Sequence, residues 1–154
     1  EGTNYIQAQD LLGRKILRDG AATLEGLLEQ IEHAAAALPA GERGLGTLRS
    51  ELTSHCAGVR ITARALIEGS AGDPDLVGAI GHHFLQWLGV LAGGWQWALT
   101  AATALPRIAT DSQARALVDT ASFYGAHIMP RAGMHQSIVM RGAAPVTDAA
   151  LTEL

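Results

Sequence analysis

Apolar residues recur along this chain at helical intervals. Leu24, Leu27, Leu28, Ile31 and Leu38 step by three, one, three and seven residues. Leu45, Leu48, Leu52, Cys56, Val59, Ala63 and Leu66 step by three and four down one face. Such spacing lines one side of a 3.6-residue turn. Arg49, Arg60 and Arg64 fall off that stripe, where charge is solvated. The boundaries are punctuated. Thr3 reads as an N-cap, and a first helix runs to about Arg18, where Asp19-Gly20 breaks it. Asp19 then caps a second helix, which Pro39 and Gly41 end, and a third begins near Glu42. Gly69-Ser70-Ala71-Gly72 is a turn, and Asp73-Pro74 reads as an N-cap followed by proline in the first helical position. The fourth helix extends to Leu105, ahead of Pro106. A fifth starts near Asp111 and carries Leu117, Ala121, Tyr124 and Ile128; Pro130 kinks or splits it, and Met134 and Ile138 resume its face. No stretch alternates with the period of a strand. The pattern predicts an all-α fold, an antiparallel up-and-down helix bundle of four to six helices. Leu27, Ile31, Leu52, Val59, Leu88, Leu91 and Leu117 are expected in its core.

Composition agrees. Of 154 residues, 48% are hydrophobic and 17% charged, which excludes a disordered chain and suffices for one core. Net charge is −4, with basic residues scattered, so nucleic-acid binding has no electrostatic footprint. Cys56 is the single cysteine; no internal disulfide is possible, and a reducing, cytoplasmic setting is expected. Phe84 to Leu105 carries no charge and is long enough to span a bilayer. Gln86, Gln96, Thr100, Thr103 and Gly93-Gly94 argue instead for a central bundle helix, and no membrane span is expected. Trp87, Trp95 and Trp97 read as core or interface anchors.

Candidate chemistry is sparse. His33, His55, His82, His83, His127 and His135 show no ligand spacing: the adjacent His82-His83 diverge on a helix, and the Glu-x-x-His pattern of di-iron bundles is missing. No metal site is expected. Ser54-His55-Cys56 are neighbours on one helix, the wrong arrangement for a nucleophile and base, so Cys56 reads as a small core residue. Glu1, before Gly2-Thr3 at a helix start, is either a solvated terminus or a carboxylate aimed at a ligand from a scaffolded junction.

The opening resembles the acyl-CoA dehydrogenase flavoproteins. Glu1-Gly2-Thr3-Asn4, Ile6-Gln7-Ala8, Asp10-Leu11-Leu12-Gly13-Arg14-Lys15 and Asp19-Gly20 match, in order, a family motif that leads from an EGT turn into a helix. FLQWLGVLAGGWQWALTA and Ala121 to Ala143 are similar to the extra C-terminal helical segment of the larger bacterial members. The resemblance implies a C-terminal fragment: residues 1–20 hold the motif turn and first helix, 21–141 the extra helical bundle, and 142–154 a tail. It implies Glu1 as the base that removes the α-proton of an acyl-CoA, Gly2 at the substrate, and Thr3, Asn4 and Tyr5 at the FAD. Tyr5 departs from the glycine usual there. Upstream domains, a homo-oligomer and an electron-transferring flavoprotein as acceptor are the implied partners. The isolated chain is expected to bind little or no FAD and to be inactive. A non-catalytic helical interaction module that keeps the motif is the alternative.

Overall fold

The computed structural model describes residues 3–42, 44–69 and 75–143. Six α-helices follow in order: α1 (Thr3–Gln9), α2 (Ala22–Ala36), α3 (Leu45–Gly69), α4 (Leu76–Ala104), α5 (Ser112–Phe123) and α6 (Pro130–Val139). No strand occurs among the described residues. The fold is an all-α helix bundle, as the periodicity predicts. Glu1, Gly2, the turn at residues 70–72, Asp73-Pro74 and the tail from residue 144 lie outside the described residues.

Helix α4 is the axis. It packs against α1, α2, α3, α5 and α6. Apart from Gly81, its buried residues, Leu76, Ile80, Phe84, Trp87, Leu91, Gly94, Ala98, Ala101 and Ala104, recur at intervals of three and four. Leu28 and Ile31 of α2, and Leu48, Leu52 and Val59 of α3, complete the core around it. The helical run from Leu76 to Arg107 is long and apolar enough to cross a membrane, but a third of its most apolar window is buried against the other helices. A core helix has the same composition.

Several boundaries differ from expectation for local reasons. The first helix is α-helical only to Gln9; from Asp10 to Leu17 it widens to a π-helix. Ala8, Leu12 and Ile16 recur every four residues, and the wider turn keeps all three buried on the core side. Gly20 and Ala21 both take left-handed backbone, at φ 64° and 63°, which reverses the chain before α2. Ala21, not Asp19, is therefore the N-cap of α2, although the Asp19 carboxylate still accepts the Thr23 N–H at 3.2 Å. The third helix begins at Leu45, after Gly44 (φ 80°), rather than near Glu42. The fifth helix starts where expected, and Asp111 caps it, accepting from the N–H groups of Gln113 (2.9 Å) and Ala114 (3.1 Å).

Pro130 splits its helix by a definite device. Proline lacks an N–H and crowds the carbonyl four residues back. The chain responds by widening over Tyr124–Ile128, where the Met129 N–H donates to the Tyr124 carbonyl at 2.9 Å, and Pro130 opens α6. The widened turn drives Tyr124 and Met129 onto α4. The Tyr124 hydroxyl donates to the Val90 carbonyl at 3.0 Å and lies over Gly93; Met129 Sδ lies against Gly94. The Gly93-Gly94 pair makes room for both, since a Cβ at either position would collide with them.

Candidate functional site

Of the residues the family resemblance assigns to the site, Thr3, Asn4 and Tyr5 form the exposed first turn of α1. Glu1 and Gly2 precede the described residues. What holds the turn in place can be followed through the motif. Ala8 and Leu12 are buried, and Ala8 rests on Gly81 of α4. Asp10 pairs with Arg14, whose Nη2 donates to Oδ2 at 3.0 Å, and with Lys15 at 3.4 Å. The hydrogen bond from Arg14 holds the Asp10 carboxyl below its ordinary range. The DLLGRK stretch thus alternates core contacts with an ion-paired outer face. Tyr5 folds back: its hydroxyl accepts from Gln9 Nε2 at 3.0 Å and lies beside Gly78 of α4. Three exposed polar residues on one turn give an edge for a ligand, not an enclosure.

A second feature runs along α2 and α4. One groove of about 400 Å³ lies between Leu11, Leu27, Gln30 and Leu88. A second of about 560 Å³ shares Gln30 and continues between Glu29, His33, Trp95 and Leu99. A third of about 310 Å³ shares Leu99 and reaches Thr103, Arg107 and Leu117. Leu27, Leu88 and Leu117, expected in the core, are instead half-buried and line this row. The other four expected core residues, Ile31, Leu52, Val59 and Leu91, are fully buried. Helical spacing marks a residue as inward-facing but does not say whether a second layer covers it. Trp95 and Trp97 are both half-buried against the core, with Trp95 in the groove and Trp87 wholly enclosed.

Other titratable groups pack within and between the helices. Trp87 Nε1 donates to His55 Nδ1 at 3.2 Å, and His55 Nε2 faces Glu51 Oε2 at 3.5 Å. Burial lowers the His55 pKa, with Glu51 opposing. The Cys56 thiol is buried and pushed up to about 12 by desolvation, so it is an inert core group, as its position in the stripe suggests. Arg60, read as a solvated charge, clamps α3 to α2: Nε donates to Glu25 at 2.8 Å, and Nη1 and Nη2 to Glu32 at 3.0 and 3.1 Å. His83 Nδ1 and His135 Nδ1 meet at 3.1 Å across α4 and α6. No sequence spacing signals that pair, because its members are 52 residues apart.

The fold and its edge define a small helical segment with an open, unshared apolar face rather than a self-contained catalytic pocket. Comparison with known proteins places it. Residues 19–150 match the family described as acetyl-CoA dehydrogenase C-terminal like. The chain belongs to that family, the C-terminal region of the acyl-CoA dehydrogenases. It is also 33% identical over 132 residues to the 3-methylmercaptopropionyl-CoA dehydrogenase of Ruegeria pomeroyi. That alignment covers 84% of this chain but 22% of the relative, so the chain spans about a fifth of the relative's length. No solved structure shows significant similarity to it.

Proposed function

We propose that this chain is the C-terminal segment of an FAD-dependent acyl-CoA dehydrogenase, acting in α,β-dehydrogenation of an acyl-CoA thioester. The family match over residues 19–150 carries the reading. The motif from Glu1 to Gly20 and the dehydrogenase named as a relative support it. In this reading residues 1–20 carry the catalytic turn, 21–141 the bundle and 142–154 a tail. Glu1 takes the α-proton onto its carboxylate. An α-hydrogen beside a thioester is weakly acidic, so the base needs a poorly solvated position and a pKa raised toward neutrality. Gly2 admits the acyl chain close to the backbone. Thr3, Asn4 and Tyr5 meet the FAD along the exposed turn. Bound FAD supplies the acceptor for the β-hydride. Tyr5 replaces the usual glycine without filling that edge, because its phenol is turned toward Gly78.

The bundle holds this turn through Ala8, Leu12 and Ile16 and offers the α2–α4 grooves to the upstream domains or a second subunit. Leu27, Leu88, Trp95 and Leu99 are the apolar groups that such a partner would cover. An electron-transferring flavoprotein is the proposed acceptor for the reduced enzyme. The test joins the chain to its upstream dehydrogenase sequence. The joined protein should hold FAD and bleach it when acyl-CoA is added, whereas the 154 residues alone should bind FAD poorly and oxidise nothing. A joined protein that folds and stays colourless favours the second reading, a helical interaction module. The start of the family match at residue 19, past the motif turn, is the observation on that side.

A further inference from the structure

His83 on α4 and His135 on α6 are brought together only by the fold. Their rings are tilted 37° with centroids 5.4 Å apart, and their Nδ1 atoms are 3.1 Å apart. As two neutral imidazoles, one donates Nδ1–H to the lone pair of the other. The same separation is that of two neighbouring ligands on one metal ion. Bonds of about 2.0–2.1 Å to nitrogens this far apart subtend about 95–102° at the ion, between octahedral and tetrahedral angles. Burial first, and then the neighbouring histidines, lower the pKa of both rings, so both are neutral with lone pairs available at pH 7.

We propose that His83 and His135 form a two-imidazole site for a divalent transition-metal ion of the zinc class, clipping α6 to α4. Ion binding moves the shared proton from Nδ1 of the donor ring to Nε2 of the same ring. Both Nδ1 lone pairs then face the ion, and no proton is released at neutral pH. Water fills the remaining positions, because no group of three or more His, Cys, Asp or Glu is placed to hold an ion among the described residues. His82, whose ring stands edge-on to His83 at 5.3 Å, is a neighbour and not a ligand. Imidazole donors and an open coordination sphere suit zinc or copper over magnesium or calcium. An ion bound only by the folded chain stabilises it by an amount that grows with the logarithm of ion concentration above Kd, which gives the clip a thermal signature.

The test is a Zn²⁺ titration of the 154-residue chain, followed by calorimetry, thermal melting and long-range ¹H–¹⁵N spectra of the imidazoles. We expect the melting temperature to rise with Zn²⁺, and the Nδ1 resonances of His83 and His135 to shift together while those of exposed His33 and His127 hold. His135→Asn keeps a hydrogen-bonding atom near the Nδ1 position and removes the imidazole; it should weaken Zn²⁺ at least tenfold. His82→Ala should leave affinity within twofold. Shifts confined to other histidines, unchanged affinity in His135→Asn, or no response of the His83 and His135 resonances at millimolar Zn²⁺ would each overturn the proposal and leave a plain hydrogen-bonded strut. The spectra need no substitution, so they decide the matter even if a variant unfolds.

Discussion

His55 shows what a single buried side chain contributes. Trp87 donates to its Nδ1, so the proton of the neutral ring sits on Nε2, facing Glu51. Protonating Nδ1 would replace an acceptor with a donor pointed at an indole N–H. Burial lowers the folded-state pKa of His55, His83 and His135 below the ordinary 6.5. The unfolded chain therefore binds more protons, and the contribution to stability is complete above about pH 6.5 and is lost as pH falls toward the lowered folded values. Melting temperature should drop between pH 7.5 and 5.5. His55→Gln, whose carbonyl still accepts from Trp87, should remove part of that drop; an unchanged pH profile in this variant would deny His55 the role. Residue-level chemistry was only partly legible in the sequence. Cys56 declared itself by its place in an apolar stripe. Arg60 looked solvated because its partners Glu25 and Glu32 lie 35 and 28 residues away.

Helix existence was legible because it follows from short-range spacing, and so was the start of α5 near Asp111; the N-cap of α2 is Ala21 rather than the expected Asp19, because the left-handed turn at Gly20-Ala21 delays the helix. Helix form was less so. Residues 10–17 contain no proline to announce a widened turn; it follows from packing Leu12 and Ile16 inward. Pro130 did announce its break, but the widening at Tyr124–Ile128 and its fit to Gly93-Gly94 depend on the facing helix. Two glycines of that segment separate packing from propensity. A Cβ at Gly125 would sit 2.8 Å from the Leu48 backbone, whereas one at Gly133 would meet nothing within 4 Å. Gly125→Ala should destabilise by about 1–3 kcal/mol through overpacking. Gly133→Ala should stabilise by about 0.5–1 kcal/mol through helix propensity and lost backbone entropy. Denaturant melts of the two variants check both signs, and equal effects would mean that α3 and the widened turn do not meet so closely.

The whole bundle carries an unfinished surface. Three leucines with inward-facing spacing, Leu27, Leu88 and Leu117, remain half-buried along one row of grooves beside Trp95 and Leu99. Sequence could mark these positions as apolar but not say whether another body covers them. The chain's match to about a fifth of a dehydrogenase supplies a candidate for that body. Leu99 is 42% exposed. Leu99→Glu should therefore leave the isolated chain's stability within about 0.5 kcal/mol while weakening its association with the upstream portion. Sedimentation of the mixed pieces would reveal it, and undiminished association would place the interface elsewhere. Activity is the sharper question, since the proposed function assigns the base to one carboxylate, Glu1. In the chain joined to its upstream dehydrogenase sequence, stopped-flow flavin reduction by acyl-CoA should slow by about 10²–10⁴-fold in Glu1→Gln, the usual contribution of a placed general base, with FAD content unchanged. Flavin reduction at the parent rate in Glu1→Gln would contradict the account: Glu1 would not be the base.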